Sequence, residues 1–167
     1  CLSSNMLVSK RSIIFHEKIR DAVTTLQLAR AKNLRAVMDN SQLSAPERRV
    51  DMDMFRSGSS NVLVAVRTID EGIDVPDAKL AIIVHGTSSS RQRIQRIGRV
   101  VRPTGETAMV VSILARNSSE EFHIGARDFL LVGRERITHH LWNDQPMDEL
   151  LQLAQSTYSP TNLEVAD

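Results

Sequence analysis

One cysteine, Cys1, stands in the 167 residues, so no internal disulfide can form. That usage fits a reducing, intracellular compartment. Aromatic residues make up 4% of the sequence, which argues against a platform of exposed rings for base stacking. No apolar run approaches the roughly 20 residues needed to span a membrane, and no signal-peptide pattern opens the chain. The first residue is Cys rather than Met, which suits a fragment, a processed chain or an excised domain. His139 and His140 are adjacent, so a regular helix or strand cannot aim both at one metal. No Cys/His spacing suggests zinc, and no metal site is expected. The serines lie in no nucleophile-elbow context.

What is present belongs to a soluble globular protein: 41% apolar and 25% charged residues, in a length suited to one domain with a substantial core. The net charge of +1 hides an asymmetry. From Leu141 onward there are five carboxylates and no Lys or Arg, so residues 1–140 carry about +6. A mildly basic body thus precedes an acidic tail.

Short apolar runs at Ser12–Phe15, Leu34–Met38, Asn61–Val66, Leu80–Val84 and Thr107–Leu114 read as buried strands. Between the first two, Ile19, Ala22, Val23, Leu26 and Ala29 recur at helical spacing. Ser44-Ala45-Pro46-Glu47 is a capping box with proline in the first turn, opening a helix to about Phe55. Ser118–Glu121 caps a further helix, and Pro146 opens a last one through roughly Ala154. Continuous apolar strands alternating with helices predict an α/β fold, a parallel sheet covered on both faces. Ligands of such sheets sit at the carboxyl ends of the strands.

The run Gln95-Arg96-Ile97-Gly98-Arg99-Val100-Val101-Arg102 gathers guanidinium groups around one glycine. On a helix, Ile94, Ile97 and Val101 form an apolar stripe, and Gln95, Arg99 and Arg102 share a neighbouring face. The guanidinium fork matches phosphate oxygens in bidentate fashion and keeps its charge. The same pattern also suits a solvated basic face. Residues 67–77 form a second constellation, Arg-Thr-Ile-Asp-Glu-Gly-Ile-Asp-Val-Pro-Asp. Gly72 permits a tight turn or a close approach, and Asp74 can accept hydrogen bonds from sugar hydroxyls. An Asp/Gly-rich turn with no ligand is the alternative there.

Order and spacing together carry more than either piece. The sequence closely resembles the second RecA-like domain of superfamily-two helicases and translocases. Ser12-Ile13-Ile14-Phe15 with His16-Glu17 is similar to motif IV. Ser44 through Phe55-Arg56-Ser57-Gly58 is similar to the connector that ends in Phe-Arg-Ser-Gly. Residues 67–76 resemble motif V and 95–102 resemble motif VI. The wording is nearest to the DEAD/DEAH, XPB and restriction-subunit type of DNA translocase. The resemblance covers roughly residues 10–115.

It implies a RecA-like parallel sheet of about five or more strands with helices on both faces, plus extra C-terminal helices. Residues 1–115 are the expected core, 116–155 a helical extension and 156–167 a flexible tail. It further implies half of an ATPase, with ATP and Mg²⁺ held in a cleft against a first RecA-like domain. Arg99 and Arg102 match arginine fingers that stabilise charge on the transferring phosphoryl group. Gln95 matches the residue that holds the γ-phosphate or the attacking water. Gly72 and Asp74 match positions beside the nucleotide, whereas Arg96 matches a structural ion-pairing position. Loops after Phe15, Met38 and Val66 match the nucleic-acid edge, with His16, Arg67 and Thr68 as candidates. A satisfied polar residue at a strand end is the other reading of His16. DNA is favoured over RNA as the partner, no membrane is involved, and in a bacterium a cytoplasmic or nucleoid-associated location is expected.

Two departures fall on that edge. Many relatives carry His-Gly near positions 39–41, where this chain has Asp39-Asn40-Ser41. They often have Thr near position 66, where this chain has Val66. The chain also lacks a Gly-x-x-x-x-Gly-Lys-Ser/Thr loop and an Asp-Glu-x-Asp/His box. Nothing in it therefore cradles the β/γ-phosphates or holds Mg²⁺, and no useful hydrolysis is expected from the chain alone. A non-catalytic helicase-like module that binds nucleic acid or a partner ATPase is the competing expectation.

Overall fold

The computed structural model describes residues 11–66, 78–84, 109–113, 115 and 117. They form five strands and two helices: β1 (Ser12–His16), α1 (Ile19–Ala31), β2 (Ala36–Asp39), α2 (Ala45–Ser57), β3 (Val62–Val66), β4 (Leu80–Val84) and β5 (Met109–Ile113). All strand pairs are parallel, in the order β2-β3-β1-β4-β5. The expected arginine helix, the 67–77 loop, the C-terminal helices and the tail lie outside the described residues.

Strand periodicity divides the core in two. Ile13, Phe15, Val37, Leu63, Ala65, Ala81 and Ile83 project to one face and pack with Met52 and Phe55 of α2. Ile14, Ala36, Val62, Val64, Val66 and Leu80 project to the other and pack with Ala22, Leu26 and Ala29 of α1. Every residue of β1 and β3 is buried, because both of their faces are covered. That is why these strands read as continuous apolar runs.

A left-handed residue follows each helix. Asn33 is left-handed at φ 59°, and the Leu34 N–H reaches back to Ala29 O at 3.0 Å. Gly58 is left-handed at φ 80°, and the Ser60 N–H reaches Met54 O at 2.9 Å. Such closures satisfy carbonyls at the end of a helix. The first one explains a difference from the sequence reading. Leu34 and Arg35 are spent on leaving α1, so β2 starts at Ala36 rather than Leu34 and runs to Asp39.

Strand β2 has strand β3 on one side only among the described residues. Side chains close two of its outward backbone groups. Arg30 Nε of α1 donates to Ala36 O at 3.1 Å, and Asp51 Oδ2 of α2 accepts from the Met38 N–H at 3.2 Å. Unpaired edges of this kind invite pairing with other chains, and these two caps blunt the edge.

The capping box at α2 is complete. Ser44 Oγ accepts from the Glu47 N–H at 3.4 Å, while Glu47 Oε2 accepts from the Ser44 N–H at 2.9 Å and its hydroxyl at 2.6 Å. The Ser44 hydroxyl first, and its backbone N–H second, hold the Glu47 carboxyl below its ordinary pKa. A depressed carboxyl contributes stability above its unfolded pKa and loses it as pH falls through the folded value. Ser44→Ala is expected to cost about 1 kcal/mol in urea unfolding at neutral pH. That deficit should narrow in acid, as pH falls through the lowered folded-state value of Glu47.

Candidate nucleic-acid and nucleotide interface

The carboxyl ends of the strands make one edge of the sheet. From left to right across it stand Asp39 of β2, Val66 of β3, His16 of β1, Val84 of β4 and Ile113 of β5. After β1 the chain crosses to β2 on one side, and after β4 it crosses to β5 on the other. Neighbouring strands whose connections depart in opposite directions open a crevice at their carboxyl ends, where ligands of open α/β sheets bind. Here that crevice lies between β1 and β4.

The segments singled out by sequence leave from this edge. Residues 67–77 follow the end of β3 and residues 85–108 follow the end of β4, on either side of β1. Two strand spacings separate those ends, about 10 Å. Gly72, Asp74, Gln95, Arg96, Arg99 and Arg102, as well as Arg67 and Thr68, lie outside the described residues.

His16 is the one candidate inside the described residues. It ends β1 and is 3% exposed, with its register partner Val66 on β3. Within this chain its ring offers almost no surface to a ligand.

Asp39 and Arg48 form a feature that sequence spacing did not reveal. Asp39 ends β2 and is 4% exposed. Arg48, in the first turns of α2, donates from Nε to Asp39 Oδ1 at 2.7 Å. Next to it, Asn40 Oδ1 accepts from the Gln42 N–H at 2.8 Å and tightens the turn into α2. The departure noted at positions 39–41 thus has an internal role, since Asp39 anchors α2 and Asn40 shapes the β2–α2 turn. Nothing at either position alone signals this pair. The two residues meet only because α2 folds back across β2.

Electrostatically this edge is weakly acidic among the described residues. Lys18, Arg20 and Arg48 stand against Glu17, Asp21, Asp39 and Glu47. Among the described residues no group of three His, Cys, Asp or Glu side chains could hold a metal ion.

Known proteins fit this geometry. The family model described as the helicase conserved C-terminal domain matches residues 2–104. Over 74 residues the chain is 39% identical to the DNA 3'-5' translocase XPB2 of Sulfurisphaera tokodaii, covering 44% of this chain and 17% of that protein. Over 118 residues it is 29% identical to the ATP-dependent rRNA helicase RRP3 of Candida albicans, covering 71% and 22%. Dbp5 of S. cerevisiae, solved bound to Gle1, superposes with a TM-score of 0.76 at 21% identity, over 93% of this chain and 41% of that one. That likeness shows the fold, a RecA-like sheet with helices. The chain spans 11–19% of the length of the first four curated relatives.

Proposed function

The chain belongs to the helicase conserved C-terminal domain family, and we propose that it is the second motor half of an ATP-dependent DNA helicase or translocase. The observation that carries DNA over RNA is the identity gap. The chain is 39% identical to a DNA translocase and 29% identical to an rRNA helicase, although the second match is longer.

In this reading the nucleotide and Mg²⁺ bind between this domain and a first RecA-like domain that brings the phosphate-cradling loop. Arg99 and Arg102 stabilise negative charge on the transferring phosphoryl oxygens. Gln95 positions the γ-phosphate or the attacking water. Gly72 lets the backbone approach the nucleotide, and Asp74 accepts from the ribose. Arg67 and Thr68, which follow β3 beside the buried His16, line the nucleic-acid edge, where phosphate contacts bind without reading sequence. The topology supports this division, because segments 67–77 and 85–108 both leave the carboxyl edge beside β1.

Alone, the chain is expected to hydrolyse ATP at background rate. Mixed with a first RecA-like domain carrying a Walker loop, it should give hydrolysis that DNA stimulates and RNA does not. Turnover by the chain alone, or stimulation by RNA only, would overturn the reading.

A further inference from the structure

At the opposite edge of the sheet, where the strands begin, the described residues are mostly basic. Strand register places Arg35, Asn61, Arg11 and Lys79 side by side, one rung before Ala36, Val62, Ser12 and Leu80. Backbone bonds fix the row. The Asn61 N–H donates to Arg35 O, the Ser12 N–H to Asn61 O and the Lys79 N–H to Arg11 O, each at 2.9 Å. Alternation along the strands puts this row on the same face as Ile13, Val37, Leu63 and Ala81, beside α2. Helix α2 ends there, and Arg11 Nη2 donates to the Arg56 carbonyl at 3.1 Å. Helix α1 ends at the same edge and delivers Lys32.

Among the described residues, Lys32, Arg35, Arg11, Lys79 and Arg56 therefore gather at this edge against one carboxylate, Asp53. Asp53 lies 3.4 Å from Arg56. At the carboxyl edge, by contrast, the described residues include more carboxylates than cations. Arg11 has a structural duty at the end of α2, where cations also oppose the helix dipole. Lys32 and Arg35 are exposed and lie outside that contact.

We propose that this amino-terminal edge is a second nucleic-acid surface, which holds the phosphate backbone of a duplex. It lies about 17 Å from the carboxyl edge, one strand length away. Three of its five cations are arginines, whose fork suits phosphate oxygens. The described aromatic residues, Phe15 and Phe55, are fully buried, so among the described residues no ring is offered to stack an unpaired base. The row of Arg35, Asn61, Arg11 and Lys79 contains no apolar side chain, whereas the centre of a protein interface is depleted of charge. A phosphate backbone fits such a row better than an acidic protein does. The proposal does not depend on the arginine fingers, and hydrolysis assays do not test it.

The test uses the 167-residue chain and a fluorescein-labelled duplex of mixed sequence, titrated over a range of salt. Lys32→Ala with Arg35→Ala should weaken binding about tenfold at low salt and flatten the slope of log K against log salt by about 2. The charge-preserving pair Lys32→Arg with Arg35→Lys should bind like the parent. Arg49→Ala removes an exposed cation from the middle of α2, at 85% side-chain exposure, and should change affinity by less than about twofold. Circular dichroism and thermal midpoints should stay unchanged, since both edge side chains are exposed. If Arg49→Ala weakens binding as much per charge as the edge pair does, the attraction is diffuse and the proposal fails. It fails too if the edge pair leaves duplex affinity intact while abolishing binding of poly-glutamate, because the surface then serves an acidic protein.

Discussion

Arg99→Ala and Arg102→Ala, each placed in the assembled two-domain motor, are expected to lower DNA-stimulated kcat by about a thousandfold or more. A thousandfold loss corresponds to about 4 kcal/mol of transition-state stabilisation. The size follows from where the charge sits. Phosphoryl transfer leaves the protein little covalent work, so the barrier falls mainly through groups aimed at the equatorial oxygens. A guanidinium in a water-excluded cleft meets that developing charge with two donors in a fixed fork. Arg99→Lys should therefore recover little, since an ammonium lacks the fork and is more strongly hydrated. The KM for ATP should rise much less than kcat falls, because an interaction made only in the transition state leaves ground-state binding almost intact. Arg96→Ala is the internal comparison. It removes a guanidinium from the same run at a position that the resemblance gives to structural ion pairing, and kcat should change by less than about tenfold. A loss at Arg96 equal to that at Arg99 would mean that the run acts as undirected positive charge. Steady-state hydrolysis with saturating DNA, at several ATP concentrations, separates these outcomes.

Much of the fold was legible because a doubly covered parallel strand cannot hide. Ile13, Phe15, Leu63 and Val64 face opposite sides of one sheet and are all buried, so their segments carry no polar alternation. Ser44 and Glu47 announced the start of α2 for a local reason, since the capping box closes within four residues. The start of β2 was misread for an equally local reason. Leu34 looks like strand, but its N–H closes the end of α1. What sequence reading could not reach is contact between segments. The Asp39–Arg48 pair, the caps of Arg30 and Asp51 on β2, and the cationic row on the amino edge all exist only after β-α-β crossovers bring distant residues together. The cationic row is the clearest case. Its residues at 11, 35 and 79 are scattered singly along the chain, and only strand register aligns them. The arginine-rich run, by contrast, is contiguous and was visible at once.

Arg48→Met should carry the largest stability cost of the substitutions considered, about 2 kcal/mol in urea unfolding of the chain. Removing one member of a fully buried ion pair costs roughly 3–5 kcal/mol, because the remaining charge is left without compensation. Asp39 is close to that limit, with a side chain 6% exposed. Arg48 is less so, with a side chain 29% exposed, and water entering its place can hydrate part of the carboxylate. The cost therefore falls below the buried-pair range but above that of a surface pair, which is roughly 0–1 kcal/mol. Asp39→Asn should cost less, about 1 kcal/mol, since the amide oxygen can still accept from Nε and no unpaired anion is buried. Combining Asp39→Leu with Arg48→Met removes both charges together and should recover part of the loss, as apolar replacement of a buried pair often does. The double-mutant cycle should then show a coupling of more than about 1 kcal/mol between the two positions. If Arg48→Met costs under about 0.5 kcal/mol and the cycle shows no coupling, the pair is ordinary surface electrostatics. In that case α2 is held across β2 by Met52 and Phe55 in the core and by the Asp51 bond to the Met38 N–H. If the coupling is found, the Asp at the end of β2 joins a structural requirement to the carboxyl edge. Substitutions made there to probe nucleic-acid binding then have to be read against the stability they remove.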